Sequence, residues 1–356
     1  MPPIPQTSPV TPEQLSYAMR NSAAREHFLS FNAPAQIIDW SHLAIEALMT
    51  VGFVLALLHA VRHARRSGTP AALYAFAGIF LYGLVMDVSS YYSVGNFWHG
   101  EFSVMLVWNR LPLYIALFYP ALIYHCYMTM RRHDFAPVVE AVSVAFYGGV
   151  LYMIFDNLGP ALDWWVWDRQ HAASQPLLAN VPLTSYHWIL LFNGALAYSL
   201  RVFVWDALAR GQLRRARLGT LALPLLTILI GSLLFTPYNL FLYAFKGTIA
   251  VSVLIHAVAF FLAGYLFLIR YRRPTAAPDP LLLLFPLLWI FGQLYICVAK
   301  NDVLWPVGTD GLNTAGLAAG NPWAVGAGMI VGLAMTLASH ARERGTAGET
   351  APWRSG

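Results

Sequence analysis

The first strongly apolar stretch of the chain decides its class. Residues 37–68 read IIDWSHLAIEALMTVGFVLALLHAVRHARRSG, in which about 25 mostly apolar residues lead into a cluster of arginines. A helix of about 20 apolar residues crosses the ~30 Å hydrocarbon layer of a membrane. The stretch therefore predicts a membrane-spanning helix, and eight more stretches share its character. The nine predicted spans are residues 37–61, 70–90, 111–130, 136–156, 184–208, 218–240, 248–269, 280–299 and 322–340.

The basic residues predict how these spans are oriented. Fifteen of the 22 Lys and Arg residues fall in five short clusters, each of which follows an odd-numbered span. Basic residues in short loops stay on the cytoplasmic side of a membrane. We therefore predict an outer N-terminus and a cytoplasmic C-terminus. The clusters are Arg62, Arg65 and Arg66; Arg131 and Arg132; Arg210, Arg214, Arg215 and Arg217; Arg270, Arg272 and Arg273; and Arg342, Arg344 and Arg354.

The composition favours a membrane protein over a nucleic-acid binder. Hydrophobic residues make up 58% of the chain and charged residues 11%, with a mean hydropathy of +0.54, which is more apolar than a soluble domain requires. The net charge of +5 comes from arginines at span ends and forms no continuous basic face. We predict an all-α polytopic transmembrane bundle, and the excess of arginine and alanine suggests a bacterial inner membrane. Cys126 and Cys297 lie at different depths, so we expect no disulfide.

The spans divide the chain into four predicted parts. Residues 1–36 form a polar segment with a candidate surface helix at about 11–31. Residues 37–210 form a five-span core that carries the predicted site. Residues 211–341 add four further spans, and residues 342–356 form a disordered cytoplasmic tail.

Acidic residues concentrate on the predicted outer side, which holds 11 of the 17. Asp39, His42 and Glu46 follow i, i+3, i+7 spacing, so they line one face of the first helix. A carboxylate within hydrocarbon is costly unless it faces the protein interior or water, which makes Glu46 a functional candidate. An ordinary hydrated helix end explains Asp39 and His42 equally well.

A second group of polar residues follows the second span. Residues 86–110 read MDVSSYYSVGNFWHGEFSVMLVWNR. Asp87 and Tyr91 share a helical face, and His99 and Glu101 lie in the loop beyond it. An interfacial aromatic belt would explain the other aromatic residues of this segment. It does not explain Asp87, which lies about one turn inside the membrane edge.

A third group follows the fourth span. Residues 155–188 read FDNLGPALDWWVWDRQHAASQPLLANVPLTSYHW, so that Asp156 closes the span just before an aromatic cluster. Apolar surroundings favour the protonated form of an acid, and aromatic faces stabilise a developing carbocation. The arrangement suits acid-catalysed chemistry on an alkene, although an aromatic belt is an equal alternative. The predicted substrate-binding residues are Trp164, Trp165, Trp167, Trp188, Tyr91, His99, Asn193 and His187.

The remaining polar residues favour structural roles. Lys300 and Asp302 are expected to form an ion pair at a helix end. We predict no cofactor, because His42, His99, His187 and His256 show no recognised metal-ligand spacing. A divalent-metal site formed by these histidines and the acids is the alternative.

Two pieces of the sequence resemble the membrane-integral carotenoid biosynthesis family, the carotenoid and bisanhydrobacterioruberin hydratases. The likeness covers roughly residues 40–210. The first piece runs from Asp87 through GNFWHGEF to RLPLYIALFYPALIY at residues 110–124. The second comprises Asp156, Trp165, Trp167, Val181, Pro182 and Trp188.

The resemblance implies a multi-pass enzyme that protonates a double bond of a polyisoprenoid and then adds water or closes a ring. In this hypothesis Asp156 or Asp87 donates the proton, Glu46 or Glu101 orients water or removes the final proton, and tryptophans shelter the cation. The expected partner is a membrane lipid or polyisoprenoid and no nucleic acid. The first alternative is a transporter or receptor that binds a cation or polar lipid in an acidic outer cavity. The second is a metal-dependent membrane lipid hydrolase.

Overall fold

Nine apolar helices account for most of the described chain. The computed structural model describes residues 27–34, 37, 39–168, 171–178, 180–244, 249–274, 277–308 and 311–341. Eight of these helices are long and apolar enough to cross a membrane, and α9 is shorter, at 17 residues. The helices are α1 (Trp40–Ser67), α2 (Ala71–Ser93), α3 (Leu113–Arg131), α4 (Pro137–Leu158), α5 (Leu183–Ala209), α6 (Leu213–Asn239), α7 (Ile249–Arg270), α8 (Pro280–Ala299) and α9 (Pro322–Ala338).

The helix α3 lies at the centre of the bundle. Its apolar stretch is 89% buried, the highest value among the eight long helices. Around it, neighbouring helices contact one another in the order α1–α2–α6–α5–α4–α9–α8 and back to α1, while α7 packs against α4 and α5. This ring combines helices from both the predicted five-span core and the predicted four-span remainder.

Three helices of the described chain contain or continue into a turn of π-helix. It spans Tyr119–Tyr124 in α3 and Leu200–Trp205 in α5, and Leu240–Ala244 continues α6. Pro120 lies inside the first of these segments and cannot donate a backbone hydrogen bond, which favours a local departure from α-helical geometry. Such widened turns are frequent at functional sites.

Within the described residues, seven short strands gather at one end of the bundle, which we call the strand end. They are β1 (Leu29–Phe31), β2 (Phe97–His99), β3 (Val104–Leu106), β4 (Leu111–Pro112), β5 (Trp165–Trp167), β6 (Leu177–Leu178) and β7 (Val181–Pro182). The antiparallel order β1–β3–β4 joins the N-terminal segment to the α2–α3 loop. The pair β2–β5 joins that loop to the α4–α5 loop.

The four arginine clusters that fall within the described residues lie at the opposite end, which we call the arginine end. Arg62 forms an ion pair with Asp279 at 2.8 Å, and Glu140 is held by Arg131 at 2.6 Å and by Arg201 at 2.9 Å. Glu140 is fully buried, and two guanidinium groups compensate the cost of burying its charge.

The structure agrees with much of the sequence-based prediction and corrects parts of it. The bundle is mostly helical, but the predicted all-α fold omitted the strand end. The candidate surface helix at 11–31 falls mainly outside the described residues, and its last residues, Leu29–Phe31, form a strand instead. The predicted tail at 342–356 also lies outside the described residues. Cys126 and Cys297 are both buried and free, as predicted.

Candidate functional site

Asp87 lies on the inner face of α2 near the strand end. Its side chain is buried, and its Oδ1 accepts a 2.8 Å hydrogen bond from the Tyr119 hydroxyl in the π-helical turn of α3. Its Oδ2 has no hydrogen-bond partner among the described residues. Tyr82 lies five residues earlier on α2, and its ring packs edge-on against Tyr119, with ring centroids 5.5 Å apart.

Asp156 lies on α4 and is completely buried. Its Oδ1 accepts a 3.2 Å hydrogen bond from the hydroxyl of Tyr152, one helical turn earlier. That hydroxyl also lies 3.1 Å from the Ser185 hydroxyl on α5. The second carboxyl oxygen, Oδ2, has no hydrogen-bond partner in the described part of the chain.

Tyr152 connects the two acids. Its side chain interacts electrostatically with both Asp156 and Asp87, and the Tyr119 hydroxyl that holds Asp87 also interacts with Tyr152. Phe118 packs against both Tyr119 and Tyr152, with ring centroids 5.3 Å and 5.9 Å apart, so the two acids lie beside one aromatic interior between α2, α3, α4 and α5. We call the group of Asp87, Tyr119, Tyr152, Asp156 and Ser185 the paired-acid core.

Aromatic rings enclose the paired-acid core. Phe118 lies 5.9 Å from Tyr152 and stacks on Phe155 at 5.5 Å, both measured between ring centroids. Phe155 in turn contacts Trp165 at 4.7 Å. Towards the strand end this wall continues with Tyr91, His99 and Tyr114. A carboxyl group in these surroundings faces mainly aromatic rings and few polar groups.

The β2–β5 pairing builds the upper part of this wall. It sets His99 opposite Trp165, and their ring centroids are 6.1 Å apart. Burial lowers the pKa of His99 to about 3, and the nearby Arg110 guanidinium lowers it further, against the raising effect of the Trp164 carbonyl. His99 is therefore neutral at physiological pH and acts as an aromatic wall and hydrogen-bonding group.

The three tryptophans after Asp163 have different surroundings. Trp165 is buried and faces the paired-acid core through Phe155. Trp164 is fully buried, and its indole N–H donates to the Ser41 hydroxyl at 3.2 Å, which fixes the loop to α1. Trp167 is half-buried and packs on Phe97 at 5.1 Å. Of the three, Trp165 is the one that packs on Phe155 in the aromatic wall around the paired-acid core.

Glu46 contacts the α2–α3 loop. Its Oε1 accepts the Ser103 backbone N–H at 2.8 Å, and its Oε2 accepts the Ser103 hydroxyl at 2.6 Å. Glu101 is half-buried two residues earlier in the same loop. Because both oxygens of Glu46 are engaged, its contacts are those of a residue that positions the loop. Glu46 on α1 therefore contacts the same loop that contains Glu101, beside the strand end.

Lys300 pairs with a different acid from the one predicted. It forms an ion pair with Asp39 at the start of α1, and not with the predicted partner Asp302. Burial acts to raise the pKa of Asp39, but hydrogen bonds from Lys300 and Ser41 outweigh it and hold the pKa below its usual value. The pair ties the first helix to the C-terminal end of α8, a contact that spans 261 residues of sequence. Sequence proximity therefore indicated the wrong partner.

His187 belongs to a second polar cluster beside the first. Its Nδ1 lies 3.2 Å from Nδ1 of His256 on α7, and its ring stacks on Tyr238 at 4.7 Å. Tyr186 stacks on His256 at 6.1 Å and interacts electrostatically with Asp156. The cluster is thus adjacent to the paired-acid core through Tyr186.

Two other predicted residues lie along α5. Trp188 is half-buried and stacks on Phe192 with ring centroids 5.7 Å apart. Asn193 is buried beside Gly148 on α4, where the two helices come close. Asn193 therefore has the surroundings of a helix-packing residue.

Sequence reasoning did not single out the hydroxyl partners of the two acids. Tyr152 lies four residues before Asp156, so helical spacing could have indicated it. Tyr119 lies in the Pro-containing helix of the stretch at residues 110–124, but nothing local connects it to Asp87. Ser185 is contributed by another helix.

The described residues contain no group of three or more His, Cys, Asp and Glu side chains that could hold a metal ion.

Comparison of the chain with curated proteins and with solved structures finds no match. A family match extends over residues 18–276, which include both acids of the paired-acid core and the His187–His256 cluster. The chain therefore belongs to the family described as a domain of unknown function, DUF7802.

Proposed function

We propose that this protein is an integral membrane enzyme that protonates a carbon–carbon double bond of an isoprenoid lipid. One observation carries the proposal: Asp87 and Asp156 are buried in one aromatic interior, and each has one carboxyl oxygen without a hydrogen-bond partner among the described residues. A buried carboxyl group in apolar surroundings favours its protonated form and can donate that proton. The resemblance to carotenoid hydratases points to the same chemistry.

The proposed reaction uses the acids in two roles. One carboxylic acid gives its proton to the alkene, whose π electrons form the new C–H bond and leave a tertiary carbocation beside a carboxylate. Water then forms a C–O bond to the cation and loses a proton to a carboxylate, giving an alcohol. If a second double bond attacks instead, loss of a proton gives a cyclic isomer of unchanged mass.

The surrounding residues support these steps. Tyr119 and Tyr152 each hold one oxygen of an acid, which leaves the other oxygen directed elsewhere. Phe118, Phe155 and Trp165 place aromatic faces around the same interior, where they would stabilise the cation. Glu46 serves in this proposal to position the α2–α3 loop.

A lipid would enter from the side. Met86 precedes Asp87, and Trp188 lies one turn after Ser185; both are half-buried and pack against the two largest groups of buried apolar side chains. In this proposal the lipid reaches the acids between these apolar side chains. An isoprenoid chain is apolar enough to pass between them, whereas an ion is not.

The test is product analysis in a bacterial host that makes acyclic carotenoids or shorter polyprenoids. We expect a product heavier by one water, or an isomer, with the unchanged protein. Asp156→Asn and Asp87→Asn keep the side-chain shape but remove the transferable proton, so we expect each to abolish product. Asp302→Asn is the matched control, because Asp302 is exposed. If the folded protein forms no product from any of several polyprenoids, the proposal is wrong.

A specific observation favours a second candidate, a proton-coupled transporter. Asp156, Tyr186, His256 and His187 form a series of neighbouring titratable groups on α4, α5 and α7, in which the two histidines lie within hydrogen-bond distance. Such series carry protons in pumps and transporters. Proton uptake by liposomes containing the protein, abolished by His256→Phe, would support this candidate. The bacterial inner membrane is the proposed location in either case.

A further inference from the structure

A groove opens at the arginine end between the last turns of α5 and the first turns of α6. Its volume is about 730 Å³. Its lining surface is mostly apolar and includes Phe203, Leu218 and Leu226, while Gln212, Arg214 and Arg215 are also among the lining residues. The groove is therefore mainly apolar, with two arginines beside it at the arginine end. None of these residues belongs to the paired-acid core.

The arginines at this turn differ in their contacts. Arg210 donates from Nε to the Asp206 carbonyl at 3.1 Å, and Arg217 donates from Nε to the Tyr74 hydroxyl at 3.1 Å. Arg215 has only a 3.4 Å contact with the Gln212 side chain. Arg214 has no ion-pair or hydrogen-bond partner within the described ranges. The two guanidinium groups that line the groove thus keep most of their five N–H donors for a ligand.

The apolar part of the groove runs along the membrane-facing side of α6. Leu218, Ala222 and Leu226 recur every four residues, so they form one stripe about 12 Å long at 1.5 Å per residue. Leu218 is 57% exposed and has no protein covering most of its surface. Where Gly219 meets the Phe203 backbone, a side chain on residue 219 would collide with the neighbouring helix. The helices touch there, and this close contact closes the groove floor.

We propose that this groove binds an anionic diacyl phospholipid, with its phosphate between Arg214 and Arg215 and one acyl chain along Phe203, Leu218 and Leu226. Guanidinium groups bind phosphate with paired N–H donors, and basic residues at span ends attract anionic headgroups. Charge complementarity selects an anionic headgroup, because a zwitterionic one would place its own cation beside the arginines. The apolar stripe selects a lipid over a free phosphate ion. This inference is independent of the proposed enzymatic function.

The experiment uses the purified full-length chain in a neutral detergent. Binding of phosphatidylglycerol, phosphatidylcholine and inorganic phosphate is measured separately by native mass spectrometry, with thermal unfolding as a second readout. We expect phosphatidylglycerol to bind at least tenfold more tightly than phosphatidylcholine, and inorganic phosphate at the same concentration not to compete. The combined variant Arg214→Gln and Arg215→Gln should lose this preference.

Two controls separate a built site from general charge attraction. Arg65→Gln with Arg66→Gln removes another exposed basic pair, at the end of α1, and it should retain the preference. Ala222→Phe fills the apolar stripe and should weaken phosphatidylglycerol binding while both arginines remain. Equal binding of the two lipids, competition by phosphate alone, or equal losses from the two arginine pairs would each overturn the proposal.

Discussion

Acid sensitivity of His99 provides the most direct test of how the strand end is built. His99 lies buried between Tyr91, Tyr114 and Trp165, and burial lowers its pKa from 6.5 to about 3. The unfolded chain therefore binds a proton below pH 6.5, whereas the folded chain does not bind it until pH approaches 3. Stability falls as pH decreases through this window, because protons favour the unfolded state.

The size of this loss of stability follows from how far the pH lies below the ordinary pKa of His99. At pH 5 the solution is 1.5 pH units below the ordinary His99 pKa, and each unit corresponds to 1.36 kcal/mol. The expected loss from His99 alone is about 2 kcal/mol between pH 7.5 and pH 5. His99→Gln keeps a side-chain N–H for the Trp164 carbonyl but cannot titrate. We expect it to lower stability at every pH through lost packing, and to remove about 2 kcal/mol of the pH dependence.

The assay is the free energy of unfolding in mixed micelles at pH 7.5 and pH 5, for the unchanged protein and for His99→Gln. Other buried histidines titrate in both proteins, so only the difference between the two pH dependences is assigned to His99. His27→Gln is the matched control, because His27 is exposed. If His99→Gln and the unchanged protein lose equal stability between the two pH values, His99 is not buried as described.

Two further predictions concern the loop and the orientation of the bundle. Ser103→Ala removes the 2.6 Å hydrogen bond to Glu46 but leaves the backbone one, so the free energy of unfolding should fall by about 1 kcal/mol; no change would show that this contact does not hold the loop. Ser93→Cys places a thiol at the exposed end of α2, and an impermeant maleimide should label it on intact cells, while Arg66→Cys should react only after permeabilisation. The reverse pattern would invert the predicted orientation.

Some of the candidate site could be predicted from sequence because its energetics are local. A carboxyl group inside an apolar span is costly wherever the helix packs, so Asp87 and Asp156 could be recognised without a structure. The hydroxyl groups that hold these acids are harder to predict. Helical spacing indicates Tyr152 as the partner of Asp156, but Tyr119 can be assigned to Asp87 only when it is known which face of α3 meets α2.

The contacts of Glu46 and Lys300 also could not be predicted from the sequence. Glu46 was recognised by the same cost of burial, yet its oxygens engage Ser103 in a loop 57 residues away. Lys300 was assigned to a sequence neighbour and instead pairs with Asp39 at the other end of the chain. In both cases the choice of partner depends on which helices are adjacent. Spacing along one helix carries no information about that.

The sequence by itself determined that this is a bundle of apolar helices with arginines at alternate span ends, and it located two buried acids. The length of an apolar helix and the free energy of transferring its side chains out of water are properties of each segment taken alone, so the sequence of that segment predicts them. Only the tertiary structure decided that α3 is central, that β2 pairs with β5, and that Asp87 and Asp156 share one interior. These features depend on the rotation and packing of helices far apart in the chain, which are set by the sum of many weak contacts across the whole bundle.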